Sequence, residues 1–309
     1  MAERLVIGTR GSALALRQTQ TVADALRAAH PGLEIVVHII QTQGDKTQAA
    51  NVSLSSFGEK GIFAKELEAA LLAHEIDLAV HSMKDMAHTL PDGLCIAAVP
   101  AREDPRDCLI GSAFDALPPG ARVGTGSVRR RALLLSRRPD LQCVEIRGNI
   151  DSRLRKWQAG QYDAICLAVA GLNRLGLASH ITEALDPMWF TPDPGQGALC
   201  LETRTDDARA RELVAPVGDD AASQCVGAER AFLRAMGGGC QTPLGALAVL
   251  EGASLTLSGM VAAPDGSTIL RHTARGEPQA VGQVVAQALR DAGADTLLET
   301  HLWDSNDGL

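Results

Sequence analysis

Short apolar runs and helical stripes alternate along the first two thirds of this chain. Leu5-Val6-Ile7-Gly8-Thr9 reads as a strand, and Arg10-Gly11-Ser12 opens a helix over 13–29 with Ser12 as its N-cap. Leu16, Thr19, Ala23 and Leu26 fall on its apolar stripe. Pro31-Gly32 stops it and residues 34–40 form the next strand, so parallel pairing is expected. Residues 42–60 are polar and read as a long loop. Phe63, Leu67, Ala70 and Leu71 then mark a helix whose other face carries Lys65, Glu66 and Glu68. Residues 76–82 read as a buried strand running into Met83-Lys84-Asp85, and residues 94–100 as another.

After the charged crossover at 102–107 a second series begins. Arg122-Val123-Gly124-Thr125 leads into Gly126-Ser127 and a helix with Val128, Ala132 and Leu135 on one face. The strand at 143–146 ends in Arg147-Gly148-Asn149, and a helix follows with Ile150, Leu154 and Trp157 apolar and Arg153 nearby. Residues 163–169 give a further strand, with Leu172 beginning the next helix. Pro192-Asp193-Pro194-Gly195-Gln196-Gly197 reads as a hinge-like linker into the strand 198–202, and residues 221–236 as a helix. Beyond it the pattern changes to strands at 246–250, 254–262 and 268–276, then one helix with Val281, Val284, Ala288 and Leu289 on its stripe. That is an antiparallel sheet with helices, so the fold class is α/β for two domains and α+β for a third.

Composition narrows the function. A length of 309 residues exceeds what one core supports. The net charge of −8 disfavours non-specific nucleic-acid binding, so any anion site must be a local cluster. No apolar run approaches a membrane span, and the N-terminus has no signal-peptide core. The seven cysteines form no C-x-x-C pair, which removes zinc and redox-pair readings and suits reduced thiols in the cytoplasm.

Arg10, Arg129, Arg130, Arg147 and Arg153 all lie just beyond strand ends, beside helix N-termini, where open α/β sheets bind ligands. Each alone is as readily a solvated turn or helix residue. Together they point to one polyanion site. Asp85 is either an N-cap or an ionised carboxylate awaiting a developing cation. Cys240, inside Gly237-Gly238-Gly239-Cys240-Gln241, is either a small buried hydrophobe or a thiol that a ligand can approach across three glycines.

These segments, in this order, resemble the porphobilinogen deaminase (hydroxymethylbilane synthase) family nearly end to end. The matching stretches are Gly8 to Ser12, Gly61 to Glu68, His81-Ser82-Met83-Lys84-Asp85, Arg102 to Asp107, Gly124 to Arg130, Arg147-Gly148-Asn149, Leu167 to Leu172, Pro194 to Ala198 and Gly238 to Gln241. The resemblance implies two periplasmic-binding-protein-like (type II) α/β domains, 1–98 with 198–217 and 99–197, and a small α+β domain at 218–309. It implies a monomeric cytoplasmic transferase that joins four porphobilinogen units head to tail, releasing ammonia, into hydroxymethylbilane. The primer would be a dipyrromethane cofactor held by a thioether on Cys240. Lys84, Ser127, Arg129, Arg130, Arg147 and Asn149 would hold the cofactor, and Arg10, Ser12, Lys60, Phe63, Arg153 and Gln196 the substrate. Basic side chains suit the acetate and propionate groups that each pyrrole adds, and Asp85 would stabilise cationic intermediates at the pyrrole N–H groups and shuttle protons. No metal is implied.

Three positions depart from the family pattern: Ser56 where a basic residue is common, Ala87 where proline is usual, and Gly237 in place of an acidic residue. The alternative reading is a non-catalytic small-anion-binding protein of the periplasmic type.

Overall fold

The computed structural model describes residues 3–42, 64–237, 242–252 and 254–298. Lys60, Phe63, Cys240 and the polar stretch beyond Thr42, Ser56 included, lie outside the described residues.

In chain order, β1 (Arg4–Thr9) leads into α1 (Ala13–Ala29), where the Ser12 hydroxyl accepts from Ala15 N at 3.2 Å as an N-cap. The buried face of α1 is Ala15, Gln18, Thr19, Val22, Ala23 and Leu26. Leu16, expected on this stripe, is 36% exposed, because the stripe is centred one position earlier. β2 (Glu34–Ile39) pairs parallel with β1. α2 (Lys65–Leu72) buries Leu67, Ala70 and Leu71, and with them Glu68, which the sequence pattern assigned to the outer face. β3 (Leu78–Ser82) and β4 (Leu94–Ala98) follow.

The chain then crosses into β5 (Asp107–Ile110), a strand not expected from the sequence. β6 (Arg122–Gly124), α3 (Val128–Arg137), β7 (Gln142–Val144), α4 (Ile150–Gln158) and β8 (Ala164–Ala168) build the second lobe. α5 (Val169–Arg174) starts directly from β8 and ends where a helix was expected to begin. After the short β9 (Glu183–Ala184) the chain returns to β10 (Leu199–Arg204), α6 (Ala208–Val214) and α7 (Asp220–Met236). The last part is β11 (Leu244–Glu251), β12 (Ser254–Ala262), β13 (Ile269–Gly276) and α8 (Pro278–Asp291). On α8 the buried positions are Val281, Gly282, Val285, Ala286 and Leu289, whereas Val284 is 53% exposed.

Two five-stranded mixed sheets result, ordered β2-β1-β3-β10-β4 and β7-β6-β8-β5-β9. In each, the fourth strand runs antiparallel to both neighbours and enters after the chain has crossed from the other lobe. The two orders are thus the same arrangement used twice, the type II periplasmic-binding-protein-like pattern. The third sheet, β11-β12-β13, is antiparallel throughout. Leu5, Ile7, Leu26, Leu78 and Leu201 are fully buried in the first core, each contributing about 1.5–3 kcal/mol by burial.

Candidate active site

The sheets place the carboxyl ends of β1, β3, β6 and β7 beside the helix starts that carry the expected residues. Ser12, Ser127 and Asn149 are all N-caps: Ser127 Oγ accepts from Arg130 N at 3.4 Å and Asn149 Oδ1 from Ser152 N at 2.9 Å. Helix N-termini favour negative charge, so these starts suit carboxylates.

A cavity of about 70 Å³ in the first lobe is lined by Arg10, Ser12, Gln18, His81, Ser82 and Asp85, among others. Asp85 ends the single 3₁₀ turn Met83–Asp85 that follows β3. Among the described residues its carboxylate makes no hydrogen bond, which leaves it available in the cavity wall. Gln18 is almost wholly buried and donates to Ser82 Oγ at 3.0 Å. In this wall His81 Nε2 lies 3.0 Å from Glu202 Oε2, and Glu202 is fully buried. Burial, and then the Glu202 charge, push the nearby Glu68 carboxyl upward.

From Lys84, the neighbour of Asp85, a polar chain crosses between the lobes. Lys84 Nζ donates to Gln196 Oε1 at 3.1 Å, and Gln196 Nε2 donates to Asp107 Oδ1 at 2.9 Å and to Pro105 O at 2.8 Å. Asp107, at the start of β5, is fully buried and receives two arginines from the first turn of α3, Arg129 and Arg130. Arg129 Nη1 lies 2.8 Å from its Oδ2, and Arg130 Nη2 2.7 Å from its Oδ1. Burial alone would raise the Asp107 carboxyl, but the two guanidinium charges and the Gln196 amide hold it down at about 2. Burial and the Arg130 charge lower Lys84, against the opposing pull of Asp85, Asp193 and Asp107.

Arg129 and Arg130 are therefore interior residues, neither solvated nor open to a ligand on every side. Arg130 also donates to Cys166 O at 3.0 Å, and Arg129 to Thr191 O at 2.8 Å. Gln196, expected at the substrate, is wholly buried, with its amide bridging Lys84 and Asp107. Arg147 Nε donates to Glu145 Oε1 at 2.7 Å. Arg153 differs from the other arginines. Its Nε donates to Gly148 O at 2.7 Å, and burial, then the Arg130 charge, push it down to about 10 with no carboxylate opposing. A partly buried cation in that state favours an incoming carboxylate.

The ends of the cysteine loop are fixed, although Cys240 itself lies outside the described residues. Gly237 ends α7 in the left-handed region at φ 64°, where an acidic side chain would be strained, so this departure suits the helix end. On the far side a Cβ on Gly245 would stand 2.7 Å from Thr191 O, so only glycine lets β11 pack against the 191–197 linker. Fully buried Glu229 on α7 clamps that linker. It pairs with Arg102 at 2.6 Å and accepts from Gly195 N at 2.6 Å and Ala248 N at 2.8 Å. Arg230 donates to Ala87 O at 2.9 Å and to His88 O at 3.3 Å, bracing the segment where the usual proline is absent.

Sequence reasoning missed Asp107, Gln18 and Glu229. Gln18 shares a helical face with Ala15 and Val22, which was a usable signal. Asp107 directly precedes the apolar run Cys108-Leu109-Ile110, and a carboxylate opening such a run was the signal there.

The residues present fit a dipyrromethane bearing carboxylates: in Asp85 a carboxylate with no hydrogen bond among the described residues, for pyrrole N–H groups, and Arg153 for an acid side chain. Among the described residues no cluster could hold a metal ion, and no helix is long and apolar enough to cross a membrane.

Comparison with known proteins agrees with this geometry. The family model "Porphobilinogen deaminase, dipyromethane cofactor binding domain" matches residues 5–212, and "Porphobilinogen deaminase, C-terminal domain" matches 223–291. A porphobilinogen deaminase of Roseiflexus castenholzii is 48% identical, covering 96% of this chain and 99% of its own. One from Syntrophobacter fumaroxidans is 47% identical, covering 97% and 98%. Similarity to the solved methionine binding protein MetQ is remote, with a TM-score of 0.44 and 13% identity over 72% of this chain and 90% of that one. The fold assignment therefore rests on the strand orders. Two family domains in sequence and near-complete relatives at this identity decide the matter: the chain belongs to the porphobilinogen deaminase family.

Proposed function

We propose that this chain is a hydroxymethylbilane synthase, joining four porphobilinogen units head to tail with release of ammonia. In this reading it acts as a cytoplasmic monomer on a small-molecule substrate, with no nucleic acid involved. Its domains are 1–98 with 198–217, 99–197 and 218–309. The observation that carries the reading is Asp85, a carboxylate with no hydrogen-bond partner among the described residues, in one cavity wall with Arg10. A dipyrromethane on Cys240, when bound, supplies the nucleophilic pyrrole carbon from which the chain grows.

Asp85 accepts from pyrrole N–H groups and stabilises the positive charge that develops as ammonia leaves. It then holds the ring proton that is lost. Arg10, Arg147 and Arg153 grip acetate and propionate groups, each charge-assisted bond being worth about 1.5–3 kcal/mol. Ser12, Ser127 and Asn149 hold helix N-termini toward the same groups. Lys84, Arg129 and Arg130 reach the cofactor carboxylates while fixed by Gln196 and Asp107. Lys60 and Phe63 complete the substrate side.

A non-catalytic anion receptor is disfavoured, since an ionised Asp85 in the cavity repels a simple anion. Incubation with porphobilinogen tests the choice. The reading expects one ammonia released per porphobilinogen consumed, and saturable binding without consumption would support the receptor instead.

A further inference from the structure

A second cavity, about 420 Å³, opens at the seam between the second lobe and the three-stranded sheet. Arg137, Met188 and Trp189 line it from one side, and Ser267, Ile269 and Arg271 from the other. None of these residues belongs to the site described above. We propose that this cavity binds a small oxyanion with two or more negative charges, gripped between Arg137 on α3 and Arg271 on β13.

The two cations are held in place by neutral groups. Arg271 Nη1 donates to Thr191 Oγ1 at 2.6 Å and its Nη2 donates to Trp189 O. The Arg137 guanidinium sits over the Trp189 ring, 4.2 Å from its centroid. Both arginines are thus organised around one tryptophan, and neither forms an ion pair among the described residues. The acidic residues of the same segments are engaged locally: Asp186 accepts from Met188 N at 2.9 Å, and Asp265 from Ser267 N at 2.9 Å and Ser267 Oγ at 2.7 Å. Burial, and then the Arg137 charge, push the Arg271 guanidinium down.

Two like charges kept together on a chain of net charge −8 repel one another until an anion lies between them. Planar guanidinium forks suit the paired oxygens of carboxylate or phosphate. The volume lies within the usual range of small-molecule sites, about 300–1,000 Å³. Because the two arginines come from opposite sides of the seam, an anion there ties the second lobe to the third sheet. Phosphates and polycarboxylates share this chemistry.

The test uses the cofactor-bearing protein. Inorganic phosphate and citrate are titrated separately at constant ionic strength, with chloride as control, and tryptophan fluorescence is followed. The expected result is a saturable change with one or both anions and none with chloride. It disappears in Trp189→Phe and persists in Arg153→Gln, which alters the other site. Arg137→Ala and Arg271→Gln each weaken the apparent affinity by about tenfold or more, the loss of one charge-assisted bond. A response to phosphate alone or citrate alone assigns the class. Because Arg137 is exposed, its truncation leaves the fold intact and is decisive by itself. Superposable curves for wild type and Arg137→Ala, or no response beyond chloride, would overturn the proposal.

Discussion

Asp107→Asn removes the charge on which the interior of the second lobe depends. The wild-type carboxylate is fully buried and takes Arg129 at 2.8 Å, Arg130 at 2.7 Å and the Gln196 amide at 2.9 Å. Asparagine keeps the volume but turns an N–H₂ group toward a guanidinium and leaves two buried cations uncompensated. Breaking such a pair from one side costs about 3–5 kcal/mol. The pH dependence gives an independent magnitude. The folded-state value near 2 lies below the ordinary 3.8, so the carboxylate contributes stability above pH 3.8 that is lost as pH falls through 2. That difference corresponds to about 2–3 kcal/mol. Urea unfolding from pH 2 to 7 measures both, with Trp157 and Trp189 reporting on the second lobe. The expected result is a variant destabilised by about 3–5 kcal/mol at pH 7, with a flatter acid limb than wild type. A loss below about 1 kcal/mol, with an unchanged acid limb, would refute the claim that Asp107 organises these arginines.

Other substitutions separate the roles. Asp85→Asn should retain the cofactor by intact mass while turnover falls about 10²-fold or more, the range of a lost acid–base group; near-native turnover would remove Asp85 from the chemistry. Arg153→Gln should raise KM for porphobilinogen by about 10-fold or more with little loss of stability, because its partly buried charge has no carboxylate partner among the described residues. An unchanged KM would exclude it from carboxylate binding. Glu229→Gln should cost about 3–5 kcal/mol and expose the 192–197 linker to proteolysis, as it unpairs Arg102; a linker as resistant as wild type would show that the clamp lies elsewhere.

Much of the first two lobes was legible because their signals are local. Ser12 announces α1, and the arginines beyond β1, β6 and β7 mark strand ends in the sequence itself. Pairings between distant segments were not legible. Nothing in Asp107-Cys108-Leu109-Ile110 states that these four residues form a strand antiparallel to β8. Periodicity likewise left faces ambiguous by one position, which turned Leu16 and Val284 outward. Polarity misled in the other direction. Glu68 read as a surface residue and is buried; Arg129 and Arg130 read as ligand-facing, yet are buried with Asp107, a partner from another segment that offsets the cost of burial. The family motifs marked the arginines, but only the structure shows that Asp107 holds Arg129 and Arg130, and that Arg153 has no carboxylate partner among the described residues.

The central claim is that Cys240 moors a dipyrromethane on which the product grows. Intact mass spectrometry of the purified protein tests it most directly. The account predicts a mass above that of the 309-residue sequence by one dipyrromethane, a ladder of pyrrole increments after brief exposure to porphobilinogen, and neither in Cys240→Ser. An active protein at the bare sequence mass, or an increment that survives Cys240→Ser, would contradict it.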